Sequence, residues 1–92
     1  MRWSEEAEAD RDDILAYIAE EHPEAALRMD QLFARAAKRL SSFPMLGRLG
    51  EVAGTREFVP HPNYRLVYEL IDDEIWILTL VHVARQWPPV MD

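Results

Sequence analysis

The hydrophobic period of this chain changes near residue 50, and that switch limits the possible folds more than any other feature. Before it, Ala26, Met29, Phe33, Ala36, Ala37 and Leu40 recur at helical spacing with Leu32 beside them, which predicts a helix from Pro23 to about Ser41. Pro23 suits the first turn of that helix. An earlier helix is expected from Ser4, a good N-cap, to about Glu20. Glu5, Glu6 and Glu8 complement its positive end, and Ala7, Ile14, Tyr17 and Ile18 keep the spacing. The short link between the two makes an antiparallel helical hairpin. Phe43-Pro-Met-Leu-Gly-Arg-Leu-Gly50 then ends helical structure with one proline and two glycines.

Past Gly54 the runs Thr55–Val59, Tyr64–Ile71 and Glu74–Val83 are rich in β-branched and aromatic residues. Pro60-His-Pro-Asn63 and Asp72-Asp73 separate them, so three strands in an antiparallel meander are expected. Both alternations of the last run are apolar (Ile75, Ile77, Val81 against Trp76, Leu78, Leu80), which covers that strand on both faces. With Met1–Trp3 as a strand stub, the expected fold class is α+β: a helical hairpin (about 4–41) packed on a small antiparallel sheet (about 55–83), with a short polar tail over 84–92. Trp3, Phe33 and Trp76 are expected in the core.

Ninety-two residues suffice for one domain, and about half are apolar, enough to offset ordering without cross-links. The absence of cysteine removes disulfides, thiolate metal sites and cysteine nucleophiles. No basic-then-apolar leader is present, and no apolar run nears the roughly 18 residues a membrane span needs. A soluble cytoplasmic protein with no membrane partner is expected. The net charge of −7 argues against a nucleic-acid binder, yet the charge is segregated. Residues 1–24 hold nine acids and two bases, whereas residues 25–65 hold seven arginines or lysines and three acids. That basic middle is either a phosphate-contacting surface or a helix face kept soluble.

Six segments then occur in a familiar order: Trp3-Ser-Glu-Glu-Ala7, Asp13-Ile-Leu-Ala-Tyr-Ile18, Phe43-Pro44 with Gly47-Arg48, Gly54-Thr-Arg-Glu-Phe58, Asn63-Tyr-Arg-Leu-Val-Tyr68, and His82-Val-Ala-Arg-Gln-Trp-Pro88. Together they resemble the RelE/ParE superfamily of type II toxins, often labelled plasmid stabilisation proteins, over nearly the whole chain. The resemblance implies a growth-inhibiting toxin neutralised by a cognate antitoxin. RelE-like members cut messenger RNA in the ribosomal A site, whereas ParE-like members poison DNA gyrase. The lead expectation is a ribosome-dependent, metal-independent messenger endonuclease, and the alternative is a gyrase inhibitor. A third reading is a member whose toxicity has decayed.

RNA cleavage without metal needs proton transfer and stabilisation of a phosphorane. Histidine suits the first role near neutrality and arginine the second. The resemblance points to Arg65, in the Tyr-Arg-Leu-Val-Tyr strand, as the phosphorane stabiliser; many gyrase-directed members carry an apolar residue there. His82 is the proton-transfer candidate, and Arg85 stands near a second family arginine. Arg56 and Arg48 are candidate phosphate contacts, and Trp87 is a candidate base-stacking residue. The tail has no tyrosine, where several nucleases carry one. A two-residue turn at Asp72-Asp73 would set Arg65 opposite Leu80 with His82 diagonal to it, and a four-residue loop at 60–63 would add Arg56 to the same face. A slip of one residue destroys that patch.

Each residue also has a structural reading. Arg65 can pair with Glu57 or Glu69, and His82 can be a hydrogen-bonded strand end. Arg85 can be a solvated charge or an antitoxin contact, and Arg48 can belong to a simple turn between Gly47 and Gly50. His61, between two prolines, is expected to be exposed. Glu6, Asp10 and Asp13 share a helical face but are read as solvated carboxylates, so no metal and no cofactor is expected. No phosphate-binding glycine loop or serine-nucleophile elbow is present. The expected partner is an antitoxin, in a hetero-oligomeric complex, whose amphipathic helix lies on the helical hairpin. Its extended segment adds to a sheet edge left poorly covered by the N-terminal stub.

Overall fold

In the computed structural model, which describes residues 1–83 and Pro88, Ser4 joins the first helix to the sheet. Its hydroxyl accepts from the Ala7 N–H at 3.0 Å, as an N-cap should, and donates to the Leu78 carbonyl at 2.9 Å. Helix α1 (Glu5–Ala19) follows, and α2 (Pro23–Ser42) begins with proline in its first turn. Arg11 ties the hairpin together, donating to Asp30 Oδ1 at 2.9 Å and its carbonyl at 3.2 Å while its guanidinium lies 4.7 Å from the Trp3 ring centre. Helix α2 buries one stripe, Ala26, Phe33, Ala36, Ala37 and Leu40; α1 fully buries only Ala7.

The sheet has five strands among the described residues: the expected stub, the three strands of the meander, and one more. These are β1 (Arg2–Trp3), β2 (Arg48–Leu49), β3 (Arg56–His61), β4 (Tyr64–Ile71) and β5 (Glu74–His82), in spatial order β1-β5-β4-β3-β2. Strand β1 pairs parallel to β5 through Arg2 with Trp76 and Trp3 with Ile77. Two-residue strands have no period to read, so β2 leaves no signal in the sequence. The Asp72-Asp73 turn forms as expected, with φ of 50° and 64°, the doubly left-handed form that matches strand twist.

The core lies between the helices and one face of the sheet. Phe33, Ala36, Ala37 and Leu40 of α2 meet Tyr64, Leu66 and Tyr68 of β4 and Ile75, Ile77 and Leu80 of β5, with Trp3 and Phe58 packed at its margin. Trp76, expected in the core, is only half-buried: it falls on the other face, with Arg2 5.6 Å from its ring centre. The outer edge of β5 is better covered than the two-residue β1 suggests. Asp10 of α1 accepts from the Leu80 N–H at 3.1 Å and the Thr79 hydroxyl at 2.6 Å, beyond the reach of β1. Asp10 is therefore a partnered structural carboxylate and not a solvated one.

Candidate functional site

Strand registers decide which side chains share a face, and two irregularities reset them. Near their turn β4 and β5 pair as expected, Ile71 with Glu74 and Tyr68 with Ile77, but Val67 then pairs with Thr79, leaving Leu78 as an extra residue. Beyond this bulge Arg65 stands opposite Val81, and His82 pairs with Tyr64. Strand β3 runs through Pro60 to His61, so the turn is Pro62-Asn63 and not the four residues 60–63. Arg56 pairs with Tyr68, Glu57 with Val67 and Phe58 with Leu66; Val59 and Pro60 then oppose Arg65 alone. Pro60 lies beyond the two residues of β3 that pair with β2, in a stretch of irregular pairing, which is where proline is tolerated.

The expected patch of Arg56, Arg65 and His82 is therefore not formed. Arg65 shares the face turned away from the helices with Glu57 and Val67, whereas Arg56 and His82 lie with Tyr68 and Tyr64 on the helix side. There the His82 and Tyr64 rings meet edge to face with centres 5.4 Å apart, and the His61 ring centre lies 5.7 Å from that of Tyr64. His61 is half-buried, not exposed, and its Nδ1 accepts from the Asn63 N–H at 3.1 Å. Arg56 donates to the Gly47 carbonyl at 2.7 Å, which holds the preceding turn. Arg85 and Trp87 lie outside the described residues.

What the outer face does hold is a carboxylate between two arginines. The Glu57 side chain is 1% exposed, and its Oε1 lies 3.3 Å from Arg48 Nη2 and 3.4 Å from Arg65 Nε. Its Oε2 accepts from the Glu51 N–H at 3.0 Å. The Arg65 contact is an ion pair without hydrogen-bond alignment, so its buried Nε has no hydrogen-bond partner. Arg65 is 17% exposed and Arg48 67%, so the cluster carries net positive charge to the surface mainly through Arg48. The paired-arginine alternative for Arg65 is the geometry present, with Glu57 and not Glu69 as partner. Val52 and Thr55, from the loop before β3, line a cleft of about 370 Å³ with Leu78 and Thr79. Among the described residues no group of three or more His, Asp or Glu is placed to hold a metal, and no helix is long and apolar enough to cross a membrane.

A helical hairpin packed on a five-stranded sheet is the α+β architecture of the RelE/ParE superfamily class. The chain belongs to the family described as the ParE toxin of the type II toxin–antitoxin system parDE, whose model matches residues 1–87. It is 34% identical to the inferred toxin Y4kP of Sinorhizobium fredii, over 99% of this chain and 95% of that protein. It is 37% identical to toxin RelE2 of Caulobacter vibrioides, over 90% of this chain and 93% of that one. Among solved structures, a chain of the chromosomal ParDE system of P. aeruginosa superposes with a TM-score of 0.78 at 27% identity, covering 88% of this chain and 91% of that one. This chain is thus a toxin of a type II toxin–antitoxin system.

Proposed function

We propose that the toxin arrests growth as a binding protein directed at DNA gyrase, and that a cognate antitoxin neutralises it in a hetero-oligomeric complex. The observation that carries this reading is the division of Arg65 from His82 and Arg56 by the sheet itself. A metal-independent cleavage needs a phosphate-stabilising cation and a proton-transfer group at one scissile bond. Among the described residues the candidates stand on opposite faces, and Arg65 is engaged by the buried Glu57 carboxylate. The antitoxin partner is supported by the family and by the ParDE system among the structural neighbours.

The test is expression without antitoxin, followed by primer extension on an abundant messenger and a supercoiling assay with purified toxin. The expected result is growth arrest with intact messenger, inhibited supercoiling, and full toxicity in His82→Gln. No inhibition of gyrase at saturating toxin overturns the proposal. A ribosome-dependent nuclease remains the second reading because Arg48 and Arg65 share one face beside a carboxylate, a cationic surface suited to RNA phosphates. New in-frame messenger cleavages, lost on charge removal at Arg48, are its signature.

A further inference from the structure

The turn that follows α2 is fixed from beneath and apolar on top. The Tyr68 hydroxyl donates to the Pro44 carbonyl at 2.7 Å and accepts from the Gly47 N–H at 2.8 Å, and Arg56 holds the Gly47 carbonyl. Gly47 is packed so closely that an added Cβ would stand 2.7 Å from the Tyr68 ring. Yet Phe43 is 61% and Met45 66% exposed. With Pro44, Leu46 and Arg39 of the last helical turn they line a cleft of about 510 Å³. Leu49, 77% exposed, lies on the same side of the sheet, because it pairs with Arg56 and Arg56 with Tyr68. A fixed backbone presenting several large apolar side chains to water is a preorganised docking surface, since little freedom remains to be lost on binding.

Charge around the cleft is one-sided. From Gln31 to Leu46 the chain holds Arg35, Lys38 and Arg39 and no acid, although the whole chain is −7. All three are exposed. Such a local positive field in a negative molecule selects an acidic ligand.

We propose that this cleft seats an acidic, apolar-anchored segment of the antitoxin, an inference that rests on the antitoxin reading above. One large apolar side chain of that segment enters between Phe43 and Met45, and its carboxylates face Arg39 and the preceding turn of α2. The antitoxin is favoured over the toxin's target because, on the reading above, it is the partner that covers the toxin while the toxin is held inactive. An apolar patch left open in the stored form would favour aggregation.

The test measures affinity for the purified protein encoded beside the toxin, using the Phe43→Ser/Met45→Ser double variant and, separately, Arg39→Glu. These side chains are exposed, so melting temperatures should match the wild type. The double variant is expected to bind about tenfold or more weakly, as loss of a central apolar anchor does. Arg39→Glu is expected to weaken binding more at low salt than at high salt. Growth arrest by both variants without antitoxin stays intact. Affinity within about twofold of wild type, a change smaller than typical anchor loss, overturns the proposal. So does retained antitoxin binding with lost toxicity, which would make the cleft a target-facing surface. If the wild type itself neither arrests growth nor binds its neighbour, the antitoxin reading fails instead.

Discussion

Glu57 has almost no access to water, so its charge depends on Arg48, Arg65 and the Glu51 N–H for solvation. Removing one member of such a group exposes the others to an uncompensated charge, which costs more than the pair itself contributes. Arg65→Ala is therefore expected to lower unfolding free energy by about 3 kcal/mol, measured by urea titration. Adding Glu57→Gln to it should recover much of that loss, because the stranded charge goes too. Additive losses in the double variant would show that Arg65 stabilises the sheet by some other route. Tyr68→Phe tests the neighbouring turn: two buried hydrogen bonds disappear, and about 1–3 kcal/mol should go with them. At this scale the sequence named the actors, Arg65 with Glu57 or Glu69 as its structural partner. It did not separate the two glutamates, because that choice depends on which face each occupies.

Elements were legible where they were long and periodic: both helices, the three main strands and the Asp72-Asp73 turn follow from spacing and turn chemistry. Registers were not, because one extra residue at Leu78 and the Val59-Pro60 stretch each flip every later side chain to the other face. A bulge leaves no signature in a strand whose two faces are both apolar. That is why a same-face site for Arg65 and His82 could be reasoned out and still not form. The bulge has a visible support, Asp10, which accepts from Thr79 and from the Leu80 N–H. Asp10→Ala should cost about 2 kcal/mol by stranding two donors, with Asp10→Asn milder since it keeps an acceptor. Amide exchange at Leu80 is the direct readout, and unchanged protection in Asp10→Ala would mean that the bulge does not need its cap. In the opposite direction, Asp73→Gly relieves a left-handed non-glycine residue and should stabilise the hairpin by about 0.5–1 kcal/mol in thermal unfolding.

At the scale of the whole molecule, opposite tendencies are separated in space. The N-terminal helix is acidic, the second helix and its following turn are basic, and Tyr17, Leu27, Phe43, Met45 and Leu49 are large apolar side chains left in contact with water. Net charge keeps copies apart while it lasts, and exposed apolar surface draws them together when it fades. The sequence isoelectric point is about 4.8, so negative charge falls as pH drops from neutrality toward that value. The isolated toxin should therefore self-associate more readily near its isoelectric point than at neutral pH. Salt, which screens repulsion between like-charged copies, should lower the concentration at which association begins. Phe43→Ser/Met45→Ser should raise that threshold without moving the melting temperature, and bound antitoxin should raise it further by covering the same surface. Light scattering across pH and salt measures all three effects. A toxin that stays monodisperse near its isoelectric point, alone and at high salt, would show that these exposed side chains are too dispersed to act as one adhesive surface.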